Sequence, residues 1–238
     1  MPVPSPASEA VTLFNELVSL PWSESARIRQ IEVRLRRLFE LRSDIVTGLG
    51  LSQARAMLGM YDEANQMMPW LLKEIADADA VSGNNLVGLA CDLGHFDAVM
   101  DLADDRLELS RQGAIAAFFA GKAEKLEQFA IQINDRRMLH WLEKLATANL
   151  TALFSDIQTA TREVMAGKFT ACGVSLSPVD EDSAGTYYTW LEKAQRRNLE
   201  YDLDRMTHSI AERHGSSWCD MPLVTMILPL GAHPGKGA

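Results

Sequence analysis

Two stretches of this chain repeat one another. Leu58-Gly59-Met60-Tyr61-Asp62-Glu63-Ala64 and Leu93-Gly94-His95-Phe96-Asp97-Ala98-Val99 align position for position, with their glycines 35 residues apart. An apolar run at helical spacing precedes each, Ala54 to Leu58 and Leu86 to Leu93. Phe96, Val99, Leu102 or Ala103, and Leu107 continue that spacing beyond Gly94. Each copy therefore reads as helix, glycine turn, helix. The glycine can take the left-handed conformation that ends the first helix, and the aromatic after it can wedge between the two. A weaker third copy runs from Ala114 to Phe119, through Gly121, to Leu126, Phe129 and Ile133. Its glycine lies 27 residues further on. Hairpins of this kind bury their faces by stacking on one another, which predicts a layered helical protein.

The residues also carry a resemblance. "LGMYDEA" resembles the turn and second-helix start of a tetratricopeptide repeat. "ACDLGHFDAV" is similar both to that and to the Ala-x-x-x-Gly-His turn of an ankyrin repeat. The two families repeat every ~34 and ~33 residues. The resemblance covers roughly residues 51–135 and departs from both patterns in places. Asn85-Leu86-Val87-Gly88 stands where an ankyrin repeat has Thr-Pro-Leu-His, and Val99 replaces a small residue. Pro69 falls inside the second helix of the first copy, where it is expected to kink or split it. The resemblance implies that the first helix of each hairpin lines a groove for another protein or peptide. The partner-binding residues expected on that basis are Gln53, Arg55, Asn85, Asp92, Arg111 and Gln112.

Outside the repeats, three early prolines make residues 1–7 a flexible extension. Ser8 offers an N-cap for a helix through Ala10, Phe14 and Leu17, closed by Pro21. A second helix starts near Ser23, with Ile28, Ile31, Leu35 and Leu38 as its apolar stripe and six arginines on its other faces. Gly48 and Gly50 are expected to end it. Helices resume at Arg136, with stripes at Met138, Leu142 and Leu145, then Leu150, Phe154, Ile157 and Val164. The helical, repeat-like domain is thus expected over 8–166. Residues 167–230 read as a small α/β segment of strand, helix and strand: "FTACGVSLS", a long helix capped by Ser183, and "LVTMIL". Residues 231–238 read as a flexible tail. The expected fold is mostly α, stacked helical hairpins in an α-solenoid-like arrangement with this carboxy-terminal addition. Two strands make a poor sheet, so either it borrows further strands or its open edge pairs with another chain, which makes the segment a candidate homodimer or partner contact.

Charge narrows the functions. The net charge is −9, and residues 51–150 hold nine basic against fifteen acidic side chains. Such a chain is a poor general binder of nucleic acid or anionic membrane. Cys91, Cys172 and Cys219 lack the spacings of a disulfide framework or zinc ribbon, and no secretory leader or membrane-length apolar run stands out. The cytoplasm is the expected compartment.

Chemistry-bearing clusters are few. Glu200, Asp204, His208 and Glu212 climb one helix at four-residue steps, a pattern a metal site could use. The face drifts by ~40° per step, which favours a solvated polar surface. His208, His214 and Cys219 could form a thiol site, yet no signature surrounds the cysteine. His95 is expected to bond backbone groups of the neighbouring hairpin, and the arginine helix to present a solvated face or meet the acidic middle of the chain. No phosphate loop, nucleophile elbow or zincin motif occurs, and no cofactor is implied. The favoured function is a non-enzymatic interaction scaffold or adaptor. The alternatives are an enzyme or metal protein centred on the carboxy-terminal segment, and a structural subunit dimerising through a strand edge.

Overall fold

The computed structural model describes residues 6–75, 80–165, 172–179, 182–191, 193–221 and 223–229. Residues 1–5 of the expected extension and the expected tail lie outside them. Among the described residues the protein is mostly helical, with eleven α-helices whose neighbours pack together. It divides into two compact units, one ending at Leu93 and one running from Gly94 to Pro229.

The first unit holds α1 (Pro6–Ser19), α2 (Ser25–Leu41), α3 (Ile45–Met57), α4 (Tyr61–Glu74) and α5 (Ala80–Asp92). The apolar stripe of α2 meets Leu13 and Leu17 of α1 and Leu51, Ala54 and Met57 of α3. Burying each large apolar side chain contributes roughly 1.5–3 kcal/mol. The α2 arginines stay outside, and those that pair find partners nearby. Arg27 meets Glu16 at 2.5 Å and Arg34 meets Glu9 at 2.6 Å, both on α1 rather than in the acidic middle.

Three local expectations change here. Ser8 lies within α1, which already begins at Pro6. Gly48 and Gly50 do not end α2; they sit inside α3, a separate helix capped by Asp44. The Asp44 carboxylate accepts from the Thr47 N–H at 2.9 Å and its hydroxyl at 2.8 Å. The glycines serve close approach. A Cβ on Gly48 would fall 2.5 Å from the Trp70 ring, and one on Gly50 would fall 3.1 Å from Leu35. Pro69 does not split α4, which runs straight through it. Met68 and Leu71 beside it are wholly buried, and Trp70 meets Phe39 edge-on at 5.4 Å. That packing outweighs the ~3 kcal/mol an interior proline costs a helix.

The second unit opens with α6 (Phe96–Asp105), a 3-10 turn (Leu107–Leu109), α7 (Ser110–Ala120), α8 (Ala123–Gln132), α9 (Arg136–Thr147) and α10 (Thr151–Met165). Phe118 of α7, Trp141 of α9 and Phe154 of α10 are wholly buried and form a triangle with ring centroids 5.3 to 5.5 Å apart. Phe119 stacks on Phe96 at 5.8 Å. The helix α7 is the axis of this unit, with α6, α8 and α10 against it. Its Gly113 admits that crowding, since a Cβ there would lie 2.7 Å from Ala103 and 2.9 Å from Phe129. Leu107 and Ile133, expected on buried stripes, are instead 71% and 36% exposed, because each falls just past a helix end.

The carboxy-terminal segment departs from the expected strand, helix, strand. Its backbone shows β1 (Cys172–Val179), β2 (Asp182–Leu191), α11 (Lys193–His214), a 3-10 turn (Gly215–Asp220) and β3 (Leu223–Pro229). Ser183 therefore starts no helix. It pairs in register with Pro178 in an antiparallel β1–β2 ladder, and β2 also pairs in parallel with β3. The β-branched and aromatic run Thr186-Tyr187-Tyr188-Thr189-Trp190 suits a strand better than a helix.

One turn recurs along the helical chain. Gly59, Gly94, Gly121, Asn134 and Asn149 all have positive φ, between 53° and 85°. In every case the next helix begins two residues later. At residues 59, 121, 134 and 149 the left-handed residue's N–H donates three residues back at 3.0–3.1 Å. The following N–H donates five residues back at 2.8–2.9 Å. This is the double bond pattern of a Schellman cap.

Gly113→Ala should destabilise the protein by about 1–3 kcal/mol through overpacking. Gly88→Ala on α5, where an added Cβ meets nothing within 4 Å, should be neutral or gain up to ~1 kcal/mol of helix propensity. Chemical denaturation of the two variants measures both.

Candidate functional site

The six residues expected to line a groove fall on both units. Gln53 and Arg55 lie on α3 and Asn85 and Asp92 on α5, all half-buried in the first unit. Arg111 is exposed and Gln112 half-buried on α7 in the second. Arg55 is occupied internally. Its Nε stands 3.6 Å from Glu32 of α2, a carboxylate only 8% exposed, which Arg36 also approaches at 4.0 Å. Those lengths make an ion pair rather than a hydrogen bond. One Arg55 Nη1 faces the Glu63 carbonyl at 3.5 Å and the Met67 sulfur at 3.3 Å.

The carboxy-terminal candidates are separated by their surroundings. His208 projects into solvent, 4.0 Å from Glu212. His214 turns the other way and bonds Asp156 of α10 through Nε2 at 2.9 Å, while Arg213 approaches the same carboxylate at 3.7 Å. With wholly buried Ile210, that pairing holds α11 on α10. The side chains of Glu200 and Cys219 lie outside the described residues. Among the described residues, no three His, Cys, Asp or Glu side chains converge as a metal centre requires. Burial raises the Cys91 thiol far above its ordinary range, with the Asp92 charge adding to the effect, so it stays protonated and inert.

Among the described residues, a concave feature lies between α8 and α9. Each helix buries one face: Leu126, Phe129 and Ala130 on α8, and Met138, Trp141 and Leu145 on α9. The flanking faces are left to line a channel of about 730 Å³. Glu124, Glu127 and Ile131 come from α8, and Arg136, Leu139, His140, Glu143 and Ala146 from α9. Ile131 is 61% exposed, an apolar side chain with no intramolecular cover. Three glutamates face one arginine and one histidine, and the His140 ring sits 3.8 Å from Glu143. The two walls are fixed in register by the Asn134 turn, with Asp135 capping α9 through the N–H groups of Arg137 and Met138.

The acidic character extends to α6. Asp97, Asp101, Asp105 and Glu108 are all exposed at helical spacing. Asp104 holds Lys125 of α8 at 2.5 Å and accepts from Gln128 at 3.2 Å, so polar side chains link α6 to α8.

The sequence reading passed over the α8–α9 groove because it placed function on the first helix of each glycine hairpin. The available signal was Ile131, an apolar residue two positions off the Leu126–Phe129–Ala130 stripe, between glutamates and a turn. Comparison with protein-family models, curated proteins and solved structures yields no match.

Two expectations concern stability. Arg55→Met strips Glu32 of its nearer cation and should cost roughly 3 kcal/mol, most of it recovered in the Glu32→Gln/Arg55→Met double variant. Equilibrium unfolding of the three proteins tests this. Burial lowers the His95 pKa below its unfolded 6.5, so the unfolded chain takes up the proton first. His95 therefore stabilises the fold fully above pH ~6.5 and progressively less as pH falls through its folded value. His95→Gln should flatten the loss of stability measured between pH 7 and pH 5.

Proposed function

We propose that this chain is a non-enzymatic interaction protein, a scaffold or adaptor built on degenerate helical-hairpin repeats, which seats a segment of another protein in a groove between helices. Three things support the repeat reading: the recurring left-handed turn, helices of about three to five turns over α1–α10, and packing between sequence neighbours. Each hairpin of such an array hides one face and offers the other. The hairpin spacing contracts along the chain, so the repeats are similar in turn geometry rather than in length.

The observation that carries the reading is the α8–α9 groove with its uncovered Ile131. Isolated exposed apolar side chains are ordinary on protein surfaces, but one set in a concave channel offers an anchor point of the sort that dominates binding energy. Recognition would combine shape, apolar anchoring and polar pinning at the rim, with no bond made or broken. Under the same reading Gln53, Asn85 and Asp92 stand as further contacts in the first unit and Arg111 and Gln112 in the second, while Arg55 is committed to Glu32. No helix among the described residues is long and apolar enough to cross a membrane.

Paired affinity capture from the native cell tests the proposal, with wild-type chain and Ile131→Asp as baits. A partner held by the wild type should fall at least tenfold with the variant, whose circular dichroism stays native. Two identical capture profiles would overturn the groove as the contact surface.

A further inference from the structure

We infer that the occupant of the α8–α9 groove is a short basic amphipathic helix contributed by a different protein. The inference rests on the interaction reading above and adds the chemistry of the partner.

Length comes first. Each wall is ten to twelve residues, and helical rise is 1.5 Å per residue, so the channel runs about 15–18 Å. That accommodates a helix of three turns, which presents two or three apolar anchors at i, i+3 or i+4, and i+7. The lining offers apolar contact for such a ridge: Ile131, 61% exposed, comes from α8, and Leu139 and Ala146 come from α9. A concave channel lined from two helices joined by the three residues 133–135 suits a rounded helical ridge better than a flat sheet edge.

Charge then selects the sign of the ligand. Glu124 and Glu127 line one wall and Glu143 the other. Among the described residues Glu124 and Glu127 form no ion pair and Glu143 meets only the His140 ring at 3.8 Å, so three glutamates stand against Arg136 as the one lining residue of fixed positive charge. Beyond α8 the surface continues acidic along α6, where Asp97, Asp101 and Asp105 are exposed and unpaired among the described residues. Lys125, the α8 cation beside these glutamates, is paired with Asp104. A ligand helix with lysine or arginine flanking its apolar ridge would place cations over both rims. Nucleic acid and anionic lipid are repelled by the same field, and an acidic helix would add like charges at short range.

The test uses the full chain and three labelled fourteen-residue peptides read by fluorescence anisotropy: a helical leucine/lysine amphipath, its leucine/glutamate counterpart, and a serine/lysine peptide of equal charge without leucine. The leucine/lysine peptide should bind at least tenfold tighter than either control. Its affinity should fall at least fivefold in Glu124→Gln/Glu127→Gln/Glu143→Gln and at least tenfold in Ile131→Asp, and should weaken as salt rises. Equal binding of the serine/lysine peptide would overturn the inference, because charge alone would then suffice. If the leucine/glutamate peptide binds as well or better and is lost with Ile131→Asp, the basic partner is refuted while the groove survives. If no peptide responds to Ile131→Asp, inference and groove fall together. Sedimentation of the chain alone, showing a dimer that Ile131→Asp dissolves, would assign the groove to a second copy and refute the separate partner.

Discussion

A left-handed residue followed by one linking residue ends a helix and lets the next begin at once. This constraint, repeated at Gly59, Gly94, Gly121, Asn134 and Asn149, organises the helical part of the chain. It sets the direction of each following helix before any side chain has packed. It also satisfies the carbonyls that a helix end otherwise leaves bare. The core then fills the space between helices that the turns keep close along the chain. In the second unit that filling is aromatic, with Phe118, Trp141 and Phe154 drawn from three helices to one point.

How far the sequence discloses this depends on which residue makes the turn. Glycine announces a left-handed position because few other residues adopt it, so the hairpins at Gly59, Gly94 and Gly121 are legible. Asparagine adopts it too, at modest cost, but serves many other roles. The turns at Asn134 and Asn149 therefore escape a reading keyed to glycine. Gly48 and Gly50 show the reverse error. They look like helix stops, yet their purpose is to let Trp70 and Leu35 approach α3. A glycine's meaning is set by what touches it, and that is a tertiary fact. Pro69 is similar, since the buried neighbours that carry α4 through it are invisible locally. The strand Asp182–Leu191 was masked by Ser183, a plausible cap whose following residues favour extended backbone.

The candidate site was less legible than the fold. Periodicity identifies the buried stripe of a helix and assigns everything else to solvent. A groove forms where two solvent-side faces converge, and no pattern within one helix marks that. Ile131 could have been noticed as an apolar residue out of phase, but its position opposite Leu139 and Glu143 follows only from the turn at Asn134. Arg55 illustrates the converse. It reads as a surface cation on a helix, and the structure commits it to the buried carboxylate of Glu32.

The links of two or three residues have a kinetic consequence. Nearly every packed pair of helices in the α6–α10 segment is adjacent along the chain, so most contacts close short loops at small entropic cost. The docking of α10 on α7 is the exception, spanning two intervening helices. Chains of such low contact order collapse on the order of microseconds to milliseconds. The α7–α10 closure, carrying Phe118 onto Phe154, is then the step that sets the pace, and any stretch of polypeptide inserted between α7 and α10 would slow assembly before it altered the finished molecule.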